Sequence, residues 1–332
     1  MRIGKRHVGG AAAAAWLAVA GPAGAGTIAY TSLGPSTSHV WVMEESGSGK
    51  RQLTAGAVDD GWPSLAPTGK RLVFVRKLAG GRDDLYRIRT DGGGLRRLAR
   101  TAVAETEPAW APAGGLIAFS AGGAAGTAEI GVVRVDGTGR RLLTSNAMDD
   151  VDPAWAPGGK RLAFTRWSGA NADVYVVRTN GEGLRRLTTS PAADHSPSWS
   201  STGWIAFVRS RANGSRIRVV RPDGTGERRL VASPNALGAP VWSPDGSRLA
   251  FELRGAGDAE LFAVRADGSG LTRLTANRVD DTGPVWSPSG RRLAFTRFTR
   301  GSNDVWTMRA NGKDRRRLTS GARHESPTGW SP

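Results

Sequence analysis

One pattern recurs every 43 to 45 residues along this 332-residue chain, and no other feature constrains the fold as tightly. The anchor of the repeat is Pro-x-Trp-(Ser/Ala)-Pro-x-Gly, with Thr328-Gly329 altering its spacing in the last copy, followed by a short apolar run that ends in an aromatic residue. The tryptophan column is Trp110, Trp155, Trp199, Trp242, Trp286 and Trp330, with Leu65 in the same slot of the first copy. The aromatic column keeps the same beat through Tyr30, Phe74, Phe119, Phe164, Phe207, Phe251 and Phe295. A fixed period of this length marks a repeat architecture, in which one unit cannot bury its apolar face alone and neighbours must stack on it.

The copy beginning at Pro240 gives the anatomy of one repeat. Pro240-Val241-Trp242 ends a first strand, and Ser243-Pro244-Asp245-Gly246 is a turn in which proline presets φ and glycine supplies a positive φ. Leu249-Ala250-Phe251 is a second strand whose unbroken apolar run suits burial on both faces. Glu260–Arg265 is a third strand, and Asp267-Gly268 turns the chain into a fourth over Thr272–Thr275. Asp-Gly or Asn-Gly recurs at the same place as Asp91-Gly92, Asp136-Gly137, Asn180-Gly181, Asp223-Gly224 and Asn311-Gly312, the strongest short hairpin signal. Four short antiparallel strands per period make one blade of a β-propeller.

The chain ends predict closure. Ile28-Ala29-Tyr30 is a second strand with no first strand before it, and Trp330-Ser331-Pro332 is a first strand with no second after it. The expected fold is therefore all-β: a seven-bladed β-propeller with four antiparallel strands per blade, closed by pairing of the C-terminal strand with the N-terminal blade. Six blades with a frayed end is the alternative.

Arg2, Lys5 and Arg6, the apolar stretch from Val8 to Ala20 and Ala23-Gly24-Ala25 have the layout of a secretory signal peptide. Residues 1–25 are expected to be removed and residues 26–332 to form a single propeller domain. The apolar stretch is shorter than the roughly 18–20 residues that span a bilayer, so no stable membrane insertion is expected after cleavage. The expected location is extracytoplasmic, periplasmic or secreted, and the expected state is monomeric. The absence of cysteine excludes disulfides and thiolate chemistry. Removing Arg2, Lys5 and Arg6 lowers the formal charge from +17 to +14, with only six lysines among the 46 basic residues. Arginine excess of this kind accompanies Ala/Gly/Arg-rich composition, and an exported protein rarely meets nucleic acid, so anionic envelope polymers are the expected counter-charge rather than nucleic acid.

The blocks Val241-Trp242-Ser243-Pro244-Asp245-Gly246-Ser247-Arg248-Leu249-Ala250-Phe251 and Asp173-Val174-Tyr175-Val176-Val177 resemble the WD-like repeats of TolB-type propellers. The resemblance covers residues 27–332. It implies an exported envelope protein, or a sensory or peptidase-associated propeller. TolB itself carries an α/β domain before a six-bladed propeller and binds partners of the Tol–Pal system, whereas this sequence passes from leader directly into repeats and counts seven. A prolyl-peptidase relative would need a separate hydrolase domain, and no segment fits one.

Two charged columns run through the repeats. Three residues before the anchor proline stand Asp60, Glu105, Asp150, Asp194, Leu237, Asp281 and His324. The five acids are expected as a partial ring at the channel mouth, a ligand-binding column for a basic group or for a divalent cation such as calcium or magnesium. The alternative is turn chemistry, in which the carboxylates only accept backbone bonds. The metal is unknown, and no cofactor is otherwise expected. Arg89, Arg134, Arg178, Arg221, Arg265 and Arg309, with pairs such as Arg96-Arg97 and Arg185-Arg186, form a basic belt elsewhere, either for anionic polymer or to blunt strand edges. Asp194-His195-Ser196 spells a triad in order, but adjacent residues do not generally converge on one reacting atom. No Gly-x-Ser-x-Gly elbow occurs, and Gly69-Lys70 and Gly159-Lys160 are followed by arginine rather than the hydroxyl of a phosphate-binding loop. With no catalytic constellation, the expected function is a non-enzymatic scaffold binding a protein or an anionic envelope polymer. The alternative is a divalent-metal-dependent enzyme of glycan or lactone chemistry.

Overall fold

The structure is a computed structural model that describes residues 26–78, 80, 82–99, 101–122, 127–255, 257–299 and 301–332; the expected signal peptide lies outside them. Among the described residues every regular element is a β-strand, and no helix is long and apolar enough to cross a membrane. The strands form four-stranded antiparallel sheets in the radial manner of a β-propeller. One sheet runs Asp149–Trp155, Arg161–Ser168, Asn171–Arg178, Arg185–Arg186, each strand paired with the next. Four more repeat it, with first strands Asp60–Leu65, Glu105–Trp110, Ala193–Trp199 and Val241–Trp242. The remaining eight strands form two such groups, one starting at Asp281–Trp286 and one at His324–Ser331. A single parallel bridge, Asn303 to His324, joins these two groups.

The C-terminal strand His324–Ser331 pairs antiparallel with Thr27–Leu33, which places Trp330 opposite Ile28 and Glu325 opposite Ser32. The sheets are held by what lies between them. The apolar second-strand runs, such as Leu162-Ala163-Phe164, are fully buried because both faces of each sheet meet a neighbour. Seven apolar clusters each draw on two adjacent groups; Val73, Val75 and Leu85 meet Trp110, Ile117 and Phe119 in one of them. The N-terminal group packs on both sides, through Ile28, Tyr30 and Trp330 against Val285 and Val305, and through Ala29 and Val40 against Leu65 and Phe74.

Three tryptophans of the column add a directed bond to this packing. The indole N–H of Trp155 donates to the Ala109 carbonyl at 2.8 Å, that of Trp242 to Ser198 at 3.0 Å and that of Trp286 to Val241 at 3.1 Å. Each bond ties one first strand to the previous sheet. Leu65 fills the same volume, fully buried, without the bond.

Candidate functional site

The five acids expected at the channel mouth are all completely buried, and each is bound to an arginine. Cross-strand register explains four of them. Asp60 stands opposite Arg76, Asp150 opposite Arg166, Asp194 opposite Arg209 and Asp281 opposite Arg297. Each of these guanidinium groups grips its carboxylate with both Nε and Nη2 at 2.6–2.8 Å. Glu105 stands opposite Ala121, so Arg140 reaches in from beside the outermost strand to bond it at 2.6 Å. In the sheet that starts at Val241 the pair is replaced on both sides, Leu237 bridging Leu253. His324 is exposed and faces Leu33. The carboxylates of the column are therefore closed off in ion pairs with arginines. Burial pushes the carboxyls of Glu105 and Asp194 upward even against their arginines.

A second column does leave the sheets. Two residues after each buried acid the first strand carries a β-bulge, seen as register shifts between Gly61 and Ser64, Thr106 and Ala109, Val151 and Ala154, His195 and Ser198, and Thr282 and Val285. At the bulges the backbone turns left-handed: φ is 52° at Trp62, 53° at Glu107, 57° at Asp152, 53° at Ser196 and 59° at Gly283. Every one of these residues directly precedes the anchor proline, which has no N–H to give the ladder. A bulge re-aims the side chain it displaces, here out of the regular alternation of the strand. Of these residues the sequence singles out only Ser196, as part of an apparent triad, although a proline recurring inside a strand is a bulge signal.

Neighbouring bulges are bonded to one another. The Asp152 N–H donates to Glu107 Oε2 at 2.9 Å, and the Ser120 hydroxyl donates to the same oxygen at 2.8 Å. Thr165 Oγ1 donates to Asp152 Oδ2 at 3.2 Å and accepts the Ser196 N–H at 3.1 Å. Desolvation, followed by the negative field of Glu107, pushes the Asp152 carboxyl up to about 7. Burial pushes His195 down to about 4; its Nδ1 lies 3.1 Å from Ser196 Oγ, its Nε2 2.8 Å from Ser210 Oγ, and its ring stacks on Trp167. His195 and Ser196 thus do meet, but Asp194 is turned away into its ion pair with Arg209. Among the described residues no group of three or more His, Asp or Glu side chains is placed to hold a metal ion. The chemistry available is a pair of neighbouring carboxylates, Glu107 and Asp152, the second pushed toward neutrality by burial, beside the hydroxyls of Ser120 and Thr165.

The basic belt divides in two. Arg89, Arg134, Arg178, Arg221, Arg265 and Arg309 are exposed. Several partners from the adjacent pairs instead turn toward buried third-strand acids, Arg97 to Asp84, Arg186 to Asp173 and Arg317 to Asp304.

Comparison with known proteins agrees with this geometry. Residues 202–332 match the family profile described as the TolB beta propeller domain. TolB from Acinetobacter baumannii superposes with a TM-score of 0.61 at 17% identity, covering 92% of this chain and 82% of that one. An oligogalacturonate lyase in complex with manganese gives 0.67 at 12% identity, covering 89% and 85%. A puromycin-hydrolyzing peptidase of Mycobacterium tuberculosis gives 0.70 at 16% identity, covering 93% of this chain but 54% of the peptidase. No curated protein sequence matches the chain. At these identities the structures share a fold, and that fold is the TolB-type propeller.

Proposed function

We propose that this TolB-type β-propeller is an exported binding scaffold, a closed ring of seven blades latched by the C-terminal strand and freed of residues 1–25 by signal cleavage. Its ligand is a protein segment that presents a cationic group to the channel. The observation that carries this reading is the bulge column. The backbone conformation is the same in five blades, while the side chains differ in every one: Trp62, Glu107, Asp152, Ser196 and Gly283. The buried acids beside them do the opposite and stay Asp or Glu. A fixed frame that presents unlike side chains suits recognition better than support. Glu107 and Asp152 give it a local negative charge within a basic molecule, and a cation entering there would displace the proton that Asp152 holds near neutral pH.

The reading is tested by titrating an oligo-arginine peptide into the mature protein at pH 6 and pH 8. Binding is expected to tighten at the higher pH, and Glu107→Gln and Asp152→Asn to weaken it by roughly tenfold each and flatten its pH dependence. Binding that is indifferent to both variants would remove the channel from consideration. The metal-dependent enzyme is the competing reading, favoured by the same two carboxylates and by the lyase among the proteins of like fold. Melting with manganese and then a chelator separates the two, since a metal held by Glu107 and Asp152 would stabilise the parent and not the variants.

A further inference from the structure

On the exposed face that carries the Asp-Gly turns, a cleft of about 370 Å³ opens between the sheets that begin at Asp149 and Ala193. Arg161, Arg178 and Arg185 line it from the first sheet and Arg221 and Asp223 from the second, over a floor that includes Gly183. The buried arginines Arg166 and Arg209 each have a carboxylate, whereas these exposed ones are left with almost none. Among the described residues Arg161, Arg185 and Arg221 have no carboxylate within ion-pairing distance, while Arg178 meets only the exposed Glu182, at 3.8 Å. Asp223, which faces Arg185, is already engaged by the Thr225 N–H at 2.9 Å and the Thr225 hydroxyl at 2.6 Å. Two of the guanidinium groups rest against indoles, Arg161 at 5.6 Å from the Trp199 ring centre and Arg221 at 4.5 Å from that of Trp204. Such contacts restrict the long side chains before any ligand arrives.

The repeat supplies its own control. In the sheet that begins at Asp281, the residues at the positions of Arg161, Arg178 and Arg185 are Arg292, Arg309 and Arg316, and the residue at the position of Gly183 is Asp314. There all three arginines gather on one carboxylate: Arg292 at 2.9 Å, Arg316 at 3.2 Å and Arg309 at 3.7 Å from Asp314. Asp314 adopts φ 54° to reach them, and Gly183 holds nearly the same backbone at 65°. A Cβ at Gly183 would meet nothing nearer than Arg178 Nε at 3.6 Å, so the space that a side chain would fill is open. We propose that this cleft is a carboxylate-binding site, in which Arg161, Arg178 and Arg185 close on a ligand carboxylate where Asp314 supplies one from within the chain. Arg71, Arg89 and Arg96 around Gly94 repeat the arrangement, but there Arg89 is held by Asp91 at 3.0 Å. The site is independent of the channel.

The test is calorimetric titration of the full mature protein with glutarate, an oligogalacturonate and an oligoglutamate peptide, with inorganic phosphate as the comparison. The parent is expected to bind the carboxylates more tightly than phosphate; a preference between the two oligomers tells a polysaccharide source from a protein one. Gly183→Asp should install the internal carboxylate and reduce binding at least about tenfold, and Arg185→Gln should weaken it by a similar factor. Asp314→Gly should open the equivalent site and add a second equivalent of bound ligand. The proposal is overturned if the parent binds none of the carboxylates, if phosphate binds as tightly, or if Gly183→Asp binds like the parent. Should Gly183→Asp fail to fold, an unchanged affinity in Arg185→Gln together with no added site in Asp314→Gly overturns it equally.

Discussion

Trp62 holds a large side chain at φ 52° and remains 43% exposed, so the chain accepts left-handed strain there without burying the indole. Gly283 occupies the equivalent place in another blade with no strain. Trp62→Gly is therefore expected to leave the protein as stable or more stable by up to about 1 kcal/mol, relief of the left-handed cost exceeding the entropy that glycine loses. Thermal melting checks this; a clear fall in melting temperature would mean that the indole supports the fold. Asp152 and His195 set a pH dependence of opposite signs. The Asp152 carboxyl is raised, so its contribution is intact below about pH 4 and is lost as pH climbs toward about 7. The imidazole of His195 is lowered, so its contribution is present above about pH 6.5 and is lost as pH falls toward about 4. The two oppose each other across most of that window. Asp152→Asn, which still accepts the Thr165 hydroxyl, should leave the histidine alone in view. Relative to the parent, the variant should gain on the order of 4 kcal/mol between pH 4 and 7 and no more above it, read from denaturant melts across pH. His195 and Ser196 were legible only as members of an apparent triad, and the bulge itself was not, because it is a property of φ and pairing and Glu107 stands in no hydrophobic pattern. Only the recurring proline marked the place.

At the scale of strands, the acid column shows how far spacing alone can reach. Its period was legible, as were the second and third strands and the Asp-Gly turns, all of which follow from local chemistry. Its burial was not, since that depends on which residue of the next strand stands opposite. Arg76, Arg166, Arg209 and Arg297 lie 15 or 16 residues after their acids, a separation set by the hairpin register and not by any motif. The Leu237–Leu253 bridge is the chain's own substitution of an apolar pair for an ionic one. The Asp60–Arg76 pair, with side chains 0% and 15% exposed, offers the matching experiment. Arg76→Leu should cost about 3–5 kcal/mol by leaving a buried carboxylate unpaired, while Asp60→Leu with Arg76→Leu should recover most of that loss. Urea melts of parent, single and double variants decide it. A double variant as unstable as the single one would show that the ion pair cannot be exchanged for packing here.

For the whole molecule, the decisive bonds are those between the two ends of the chain. Thr27–Leu33 has Ser38–Glu44 on one side and His324–Ser331 on the other, so the N-terminal sheet depends on residues some three hundred positions away. The repeat pattern predicted that pairing, since Ile28-Ala29-Tyr30 reads as a second strand and Trp330-Ser331-Pro332 as a first. The first strands beginning at Asp281 and Asp60 pack on either side of the C-terminal one, so its loss would open the molecule at one seam and uncover the apolar cluster around Tyr30 and Val305. Trp330, 1% exposed, fills that cluster, and Trp330→Ala should cost about 3–5 kcal/mol. Deleting residues 324–332 removes the strand and the indole together and leaves the edge Thr27–Leu33 free to pair with other chains. The truncated protein should melt earlier than Trp330→Ala and associate as its concentration rises. A synthetic peptide of residues 324–332 should restore a monomer in sedimentation and raise the melting temperature, while a peptide with proline at Gly329, opposite Ala29, should do neither. A truncated chain that melts with the parent would mean that the ring is complete without its last strand, and six blades would then be the better description.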